Sequence, residues 1–198
     1  MNGNALSAAK EACQIEAQNI VKIFCYIEEN EFTRAVDALA KAERIASSGC
    51  GHSGIACRHF THLMNCIERS ACFIPPSEAT HGGMGFVHKG DVMLLASRGG
   101  ASEELLPILH ICREKQVTVI TVTENRHSPL AKGADIVLAM HVDRETDRYN
   151  CQGTTSFTVL SVIFDALQTA LIEEIAFRNE AFARIHPGGA VGKRLNKN

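Results

Sequence analysis

Short apolar runs alternate with segments of helical periodicity over most of the chain. Five runs that are mostly apolar and rich in Val, Ile or Leu are predicted to be strands: Arg44–Ser48, Ala71–Ile74, Asp91–Ala96, Val117–Thr121 and Asp135–Met140. Strands that are covered on both faces of a parallel sheet have this continuous apolar pattern. Between the runs, helical spacing is found in Ile55–Glu68, Ser102–Lys115 and Pro129–Gly133. The alternation predicts an α/β fold, a three-layer doubly wound sandwich around a five-stranded parallel sheet of flavodoxin-like order.

The N-terminal part of the chain has a different pattern. Apolar residues recur at helical spacing over Ala5–Glu28 and Thr33–Ala42, with no strand between them. Residues 1–43 are therefore predicted to be an N-terminal helical segment, and residues 44–198 the α/β domain. The first helix has more apolar surface than one sheet face needs, so it either packs on a second subunit or is an ordinary covering helix.

The C-terminal part follows an irregular stretch from Val142 to Gly153. A long apolar helix is predicted over Thr154–Phe177, then a compact segment, Glu180–Arg184, and a tail, Ile185–Asn198. No linker rich in Pro, Gly or Ser marks a further domain.

Composition and charge exclude several classes of protein. The chain of 198 residues has 20 Lys and Arg against 22 Asp and Glu, which makes nucleic acid an unexpected partner. No apolar stretch is predicted to span a bilayer, and the N-terminus lacks the regions of a signal peptide. The 8 cysteines form no Cys-x-x-Cys pair, which is typical of reduced, buried thiols. A cytoplasmic protein is expected.

Two strand-to-helix junctions end in loops of glycines and small hydroxyl residues. The first runs from Ser48 to Gly54, and the second from Ser97 to Ser102. Unpaired amide N–H groups at a helix start, together with the helix dipole, favour a phosphate there. The two loops predict a site for an anionic ligand at the carboxyl edge of the sheet.

The first loop also fits the spacing of a dinucleotide fingerprint, Gly49-x-Gly51-x-x-Gly54. That fingerprint expects an acidic residue at the end of the second strand to hold a ribose. Here the second strand ends in Ile74, Pro75 and Pro76, and the acidic residue Glu78 comes only later. The dinucleotide interpretation is therefore disfavoured, and no cofactor is assigned.

Several motifs follow one another between about Arg44 and Leu195. They are Ser48-Gly-Cys-Gly-His-Ser-Gly54, Pro76-Ser-Glu-Ala-Thr-His-Gly-Gly-Met-Gly85, Gly90-Asp-Val92, Ser97-x-x-Gly100-x-Ser102, Thr154-Thr-Ser156 and His186-Pro-Gly-Gly-Ala-Val-Gly-Lys-Arg-Leu195. Their order resembles the sugar isomerase (SIS) family, and most closely its arabinose-5-phosphate isomerase branch. Longer members of the branch carry two CBS domains after this tail. The resemblance implies a sugar-phosphate ligand and a homodimer or homotetramer in which the tail histidine completes a neighbour's site.

The resemblance also implies which residues bind the phosphate. Its hydroxyl contacts match Ser53, Ser97 and Ser102. A further family serine is replaced by Gly99, and the adjacent Arg98 either supplies a guanidinium fork to the phosphate or lies in solvent.

Residues for proton transfer are implied in the same way. Aldose–ketose isomerisation moves a proton between C1 and C2 through an enediol and needs groups that open the sugar ring. Glu145 matches a functional glutamate, and His186 and His81 match family histidines. His52 stands where the branch has a lysine.

The chain also departs from the branch, because Ala101 replaces a site glutamate and cannot carry a proton. Two functions therefore remain open: a sugar-phosphate isomerase, and a non-catalytic module that binds or senses a sugar phosphate. The histidines and Glu145 could converge on zinc, but their spacing matches no local metal signature, so no metal is assigned.

Overall fold

The computed structural model describes residues 3–196 and has a single parallel sheet. Its strands are β1 (Ile45–Gly49), β2 (Ala71–Phe73), β3 (Val92–Ala96), β4 (Thr118–Thr123) and β5 (Ile136–Ala139). Their order is β2-β1-β3-β4-β5, and all four neighbouring pairs are parallel. The predicted fold class and the existence of all five strands are confirmed, with small shifts at the strand ends.

Helices cover both faces of this sheet. They are α1 (Gly3–Ile20), α2 (Ile23–Tyr26), α3 (Glu29–Lys41), α4 (Gly51–Cys66), α5 (Pro76–Ala79), α6 (Leu106–Glu114), α7 (Pro129–Gly133), α8 (Thr155–Glu174), α9 (Asn179–Ile185) and α10 (Gly189–Leu195). Short 3-10 turns lie at Gly83–Phe86 and Glu103–Leu105. Each strand therefore delivers its carboxyl end to a loop that precedes a helix, which is where this fold places its ligands.

The central strand β3 shows how the two layers are packed. Leu94 belongs to the core cluster under α3, α4 and α8, whereas Met93 and Leu95 belong to the cluster under α6. Successive side chains of a strand point to opposite faces, and all three are buried because helices cover both faces. The sheet thus has no exposed face, as its continuous apolar strands predicted.

The first helical pattern is not one helix, which corrects the prediction for Ala5–Glu28. α1 ends at Ile20, and the chain turns before α2. Ile23 and Ile27 are buried in the core, whereas Val21 is 80% exposed at the turn. Because α3 also shares the core with the sheet, the domain division at residue 43 stays a prediction.

The tail was predicted without a helix, but it contains α10. Its glycines hide the helical pattern, although Gly192 is needed for close packing: a Cβ there would lie 2.5 Å from the carbonyl oxygen of His186. The Asn196 side chain donates a hydrogen bond to the carbonyl of Ala183 at 3.2 Å. The tail therefore folds back on α9 within the chain.

Helix α8 is long and apolar enough to cross a membrane by length and composition alone, with a mean hydropathy of 1.5. In this fold it packs against α1, α3 and α4. Ile163, Phe164 and Leu167 are buried. Its apolar character is that of a helix in the core of an α/β domain.

The thiols are less buried than predicted. All 8 cysteines are free, and of these only Cys57 and Cys112 are buried. Burial raises the pKa of Cys112 to about 12, so that thiol stays protonated. Cys13, Cys25 and Cys151 are exposed, because they lie on the outer faces of surface segments.

Candidate functional site

The first glycine loop makes a tight turn from β1 into α4. Gly51 has φ +54°, a conformation that L side chains rarely adopt, and a Cβ on Gly54 would lie 2.5 Å from the carbonyl oxygen of Gly49. The helix consequently begins at Gly51, earlier than the predicted Ile55. His52 and Ser53 therefore lie in the first turn of α4, whose amide N–H groups are available to an anion.

The second loop brings two of the predicted hydroxyls together. The Ser97 and Ser102 oxygens lie 2.9 Å apart, and the Gly100 N–H donates to the Ser97 hydroxyl at 3.1 Å. Gly100 has φ +67°, and a Cβ there would lie 2.1 Å from the Ser128 hydroxyl oxygen. The Thr123 hydroxyl also donates to the Arg98 carbonyl at 3.0 Å. The loop is therefore held in place by the end of β4.

The two loops leave neighbouring strands at one edge of the sheet. Gly49 is paired with Ala96 in the register of β1 and β3, and adjacent strands lie about 4.8 Å apart. The order β2-β1-β3 makes this junction the switch point at which such sheets bind ligands. Burial, with a smaller effect of the Glu104 charge, raises the pKa of Cys50 in the first loop, which argues against a reactive thiolate there.

Glu145 is a buried carboxylate beside this edge, with 1% of the residue exposed. Its Oε1 accepts a hydrogen bond from Arg98 at 2.7 Å. Its Oε2 accepts from the Ser156 N–H at 3.2 Å and from the Thr154 hydroxyl at 3.3 Å. The carboxylate thus lies at the N-terminus of α8, where the helix dipole favours negative charge.

The Arg98 guanidinium binds two carboxylates. Its Nε donates to Glu124 at 2.8 Å, and its Nη1 donates to Glu145. Glu124 directly follows β4, so the guanidinium extends across the ends of β4 and β5. A phosphate contact of Arg98 stays a prediction, and it would have to compete with these two ion pairs.

His52 rests on the backbone that leads into α8. A Cβ on Gly153 would lie 2.6 Å from the His52 Nδ1, and the ring centroids of His52 and Phe157 are 6.2 Å apart. The next residue, Thr154, donates to Glu145. His52 and Glu145 therefore flank the same short segment, and a cavity of about 280 Å³ opens beside His52 between α1, α4 and α8.

The other two predicted histidines are not brought to Glu145 within the chain. His81 is exposed in the turn after α5. His186 ends α9, where its ring lies 5.0 Å from the ring of Phe182. Phe182 lines a cavity of about 420 Å³ with Cys66, the last residue of α4. Since α8 has 20 residues and is about 30 Å long, His186 lies at the end of the domain remote from Glu145.

The suggested convergence of histidines on zinc is therefore wrong for a single chain. Within residues 3–196, no group of three or more His, Cys, Asp or Glu side chains is placed to hold a metal ion. The predicted site divides instead into a hydroxyl-rich edge and an adjacent buried carboxylate.

Glu124 is the main site residue that the sequence reasoning missed. It binds Arg98 and accepts a hydrogen bond from the Val142 N–H at 3.0 Å, and its Oε1 lies 2.9 Å from the His141 Nδ1. Its position three residues after the predicted strand Val117–Thr121 was an available signal, because residues that follow a parallel strand lie at the ligand edge.

The sheet order, with two glycine loops at its switch point, defines a doubly wound α/β protein with a candidate site for an anionic ligand. The chain belongs to the SIS domain family, whose pattern matches residues 38–170. It is 34% identical over 190 residues to arabinose 5-phosphate isomerase KdsD from Yersinia pestis, covering 95% of this chain and 57% of that protein.

Two solved structures are similar over nearly the whole chain. One is a candidate sugar-phosphate isomerase from Listeria monocytogenes, with 37% identity, a TM-score of 0.92, and coverage of 95% of this chain and 100% of that one. The other is a protein from Escherichia coli CFT073 in complex with A5P, with 27% identity, a TM-score of 0.88, and coverage of 94% and 100%. The family prediction made from the motifs is confirmed.

Proposed function

We propose that this protein is a sugar-phosphate aldose–ketose isomerase that acts through an enediol, on a pentose phosphate such as arabinose 5-phosphate. The observation that carries the proposal is the placement of Glu145, a buried carboxylate, beside an edge built for phosphate. The Yersinia relative, named as an arabinose 5-phosphate isomerase, and the A5P complex support the same substrate class. The chain spans little more than half of that relative, so the activity is proposed from the shared domain.

The phosphate would be bound by Ser53, Ser97 and Ser102, together with the amide N–H groups at the start of α4. Hydrogen bonds to a charged group contribute about 1.5–3 kcal/mol each, enough to orient the sugar. The reacting carbons would then lie toward α8, where Glu145 is fixed at the helix start.

Glu145 would carry the proton. In the aldose, the carboxylate removes the proton from C2 while the C1 carbonyl oxygen gains one, which gives the enediol. Return of the proton to C1, with loss of the O2 proton, gives the ketose, so that no atom is gained or lost. The His52 imidazole lies against Gly153, just before α8, and is suited to the oxygen protons or to ring opening. The roles of His52, His81 and His186 remain proposals.

A homodimer or homotetramer with shared sites is part of the proposal. His186 is remote from Glu145 in its own chain, and its Nδ1 is buried without a hydrogen-bond partner among residues 3–196. A neighbouring subunit could supply that partner if the tail completes the neighbour's site. We place the protein in the cytoplasm and expect neither nucleic acid nor membrane as a partner.

One observation favours the second function, a sugar-phosphate sensor. Glu145 is 1% exposed and already accepts three hydrogen bonds, and Ala101 cannot replace it as a base. The deciding experiment is turnover of a panel of pentose and hexose phosphates, together with binding measured by calorimetry. Turnover of one of them supports the isomerase, whereas tight binding without turnover by any of them supports the sensor.

A further inference from the structure

Arg98 joins two carboxylates, Glu124 directly after β4 and Glu145 at the N-terminus of α8. Its Nε donates to Glu124 Oε2 at 2.8 Å, and its Nη1 donates to Glu145 Oε1 at 2.7 Å. A guanidinium presents five N–H donors in a rigid planar fork, so it can hold both carboxylates in one geometry. The position of Glu145 is thereby tied to that of Glu124.

Glu124 is itself fixed on its other oxygen. Its Oε1 accepts from the Val142 N–H at 3.0 Å and lies 2.9 Å from the His141 Nδ1. The His141 Nε2 in turn faces Asp143 at 3.3 Å, and Tyr26 lies against the ring at 4.6 Å between centroids. Arg98 therefore acts from a rigid anchor at the ends of β4 and β5.

Most of the hydrogen-bond acceptor sites of the Glu145 carboxylate are occupied. A carboxylate has about four acceptor sites. Arg98, Thr154 and the Ser156 N–H occupy three of them. These three bonds leave one acceptor site of the carboxylate, and they fix its direction.

We propose that Arg98 is a positioning residue for proton transfer, held by Glu124, and that it aims Glu145 at the sugar. This inference rests on the proposed function. It assigns Arg98 to the carboxylate and not to the phosphate, so its loss should lower the rate of chemistry and leave ground-state binding in place.

Substitution of the fork tests this directly. Arg98→Lys keeps the charge, but a compact ammonium cannot bridge both carboxylates in the same geometry. We expect kcat for arabinose 5-phosphate to fall by about 100-fold, the size of effect that an ångström of misplacement can cause, with KM changed by less than about threefold. A raised KM with unchanged kcat would make Arg98 a phosphate contact and overturn the proposal, as would no change in either.

Two further variants complete the comparison. Glu124→Gln keeps an acceptor for Arg98 but loses the charge, so its kcat should fall less than that of Arg98→Lys and in the same direction. Arg126→Lys is the matched control, because Arg126 pairs with Glu28 at the surface, outside the site. If kcat of Glu124→Gln equals that of wild type, Glu124 does not hold Arg98 in position.

A readout that does not depend on turnover separates this inference from the proposed function. In a double-mutant cycle of Arg98→Met and Glu145→Gln, coupled residues give a fall in Tm for the double variant that is smaller than the sum of the single falls. If the falls in Tm are additive, Arg98 does not hold Glu145, and the proposal is overturned. If wild type turns over no sugar phosphate, the proposed function fails, and the cycle still decides whether Arg98 holds Glu145.

Discussion

The hydroxyl oxygens of Ser97 and Ser102 lie 2.9 Å apart at the end of β3, where the loop closes on itself before the next helix. This contact places two donors at the same edge as the first turn of α4. We therefore expect both loops to recognise the phosphate of the ligand and not its sugar.

Replacing Ser102 by Ala should weaken binding of a sugar phosphate. The expected loss is about 0.5–3 kcal/mol, the range for hydrogen bonds to neutral through charged groups, and Ser53→Ala should behave alike. Calorimetry with arabinose 5-phosphate and with unphosphorylated arabinose is the measurement. Ser161→Ala is the control, because the Ser161 hydroxyl donates to a carbonyl within α8 at 2.9 Å. Equal losses for both ligands would remove Ser102 from the phosphate site.

Gly100 and Gly99 offer a matched pair for testing the shape of the second loop. Gly100→Ala combines φ +67° with a Cβ placed 2.1 Å from the Ser128 hydroxyl oxygen, so we expect a stability loss of at least about 1–3 kcal/mol and weaker phosphate binding. Gly99→Ala meets no atom within 4 Å and should change neither property measurably. Urea unfolding and calorimetry of both variants check this, and a Gly99→Ala loss as large as that of Gly100→Ala would contradict it.

Shared sites predict complementation between two inactive proteins. His186→Ala and Glu145→Gln each remove one group, but hybrid oligomers regain both groups in some sites. Mixing the variants should therefore restore part of the activity, measured after subunit exchange has been verified by mass spectrometry. If exchange takes place and activity stays absent, each site is built from one chain.

Glu124 predicts a dependence of stability on pH. Burial raises the pKa of Glu124, but the hydrogen bonds from Arg98 and the Val142 N–H, with the charges of Arg98 and His141, outweigh it and hold the pKa below the ordinary 4.5. A carboxyl with a lowered folded-state pKa stabilises the fold above its unfolded-state pKa, and that contribution is lost as pH falls through the folded-state pKa.

The stability difference between wild type and Glu124→Gln should accordingly be largest near neutral pH and shrink as the pH falls below 4.5. Urea unfolding across this range is the measurement. Glu180→Gln is the control, because Glu180 forms an exposed pair with Arg178 at 3.9 Å. If the difference stays constant with pH, the charge of Glu124 does not contribute to the free energy of unfolding.

The strands of the sheet could be predicted because the apolar pattern of each strand lies within a few consecutive residues. Continuous apolar runs such as Asp91–Ala96 mark strands buried on both faces, and β3 was found there. The start of α4 and the whole of α10 were missed because glycines weaken the helical pattern while meeting a need for close backbone contact.

The candidate site was predicted in part. The Ser97–Ser102 contact follows from residues on one loop. The Arg98–Glu145 pair joins positions 47 residues apart, and no periodicity reports such a partner. The remote position of His186 likewise depends on the length and direction of α8. These relationships depend on tertiary packing, so they could not be predicted from the sequence pattern alone.

The proton carried by Glu145 is the central claim, and isotope exchange measures it most directly. In deuterated water, wild type should place deuterium on the carbon next to the carbonyl of arabinose 5-phosphate, because the enediol exchanges its carbon-bound proton with solvent. Glu145→Gln should lower that exchange by about 10²–10⁴-fold, the usual contribution of a single base, while its amide oxygen still accepts from Arg98 and ligand binding is retained. Glu114→Gln, an exposed change on α6, should exchange like wild type. No exchange by wild type with any sugar phosphate that it binds would contradict the account.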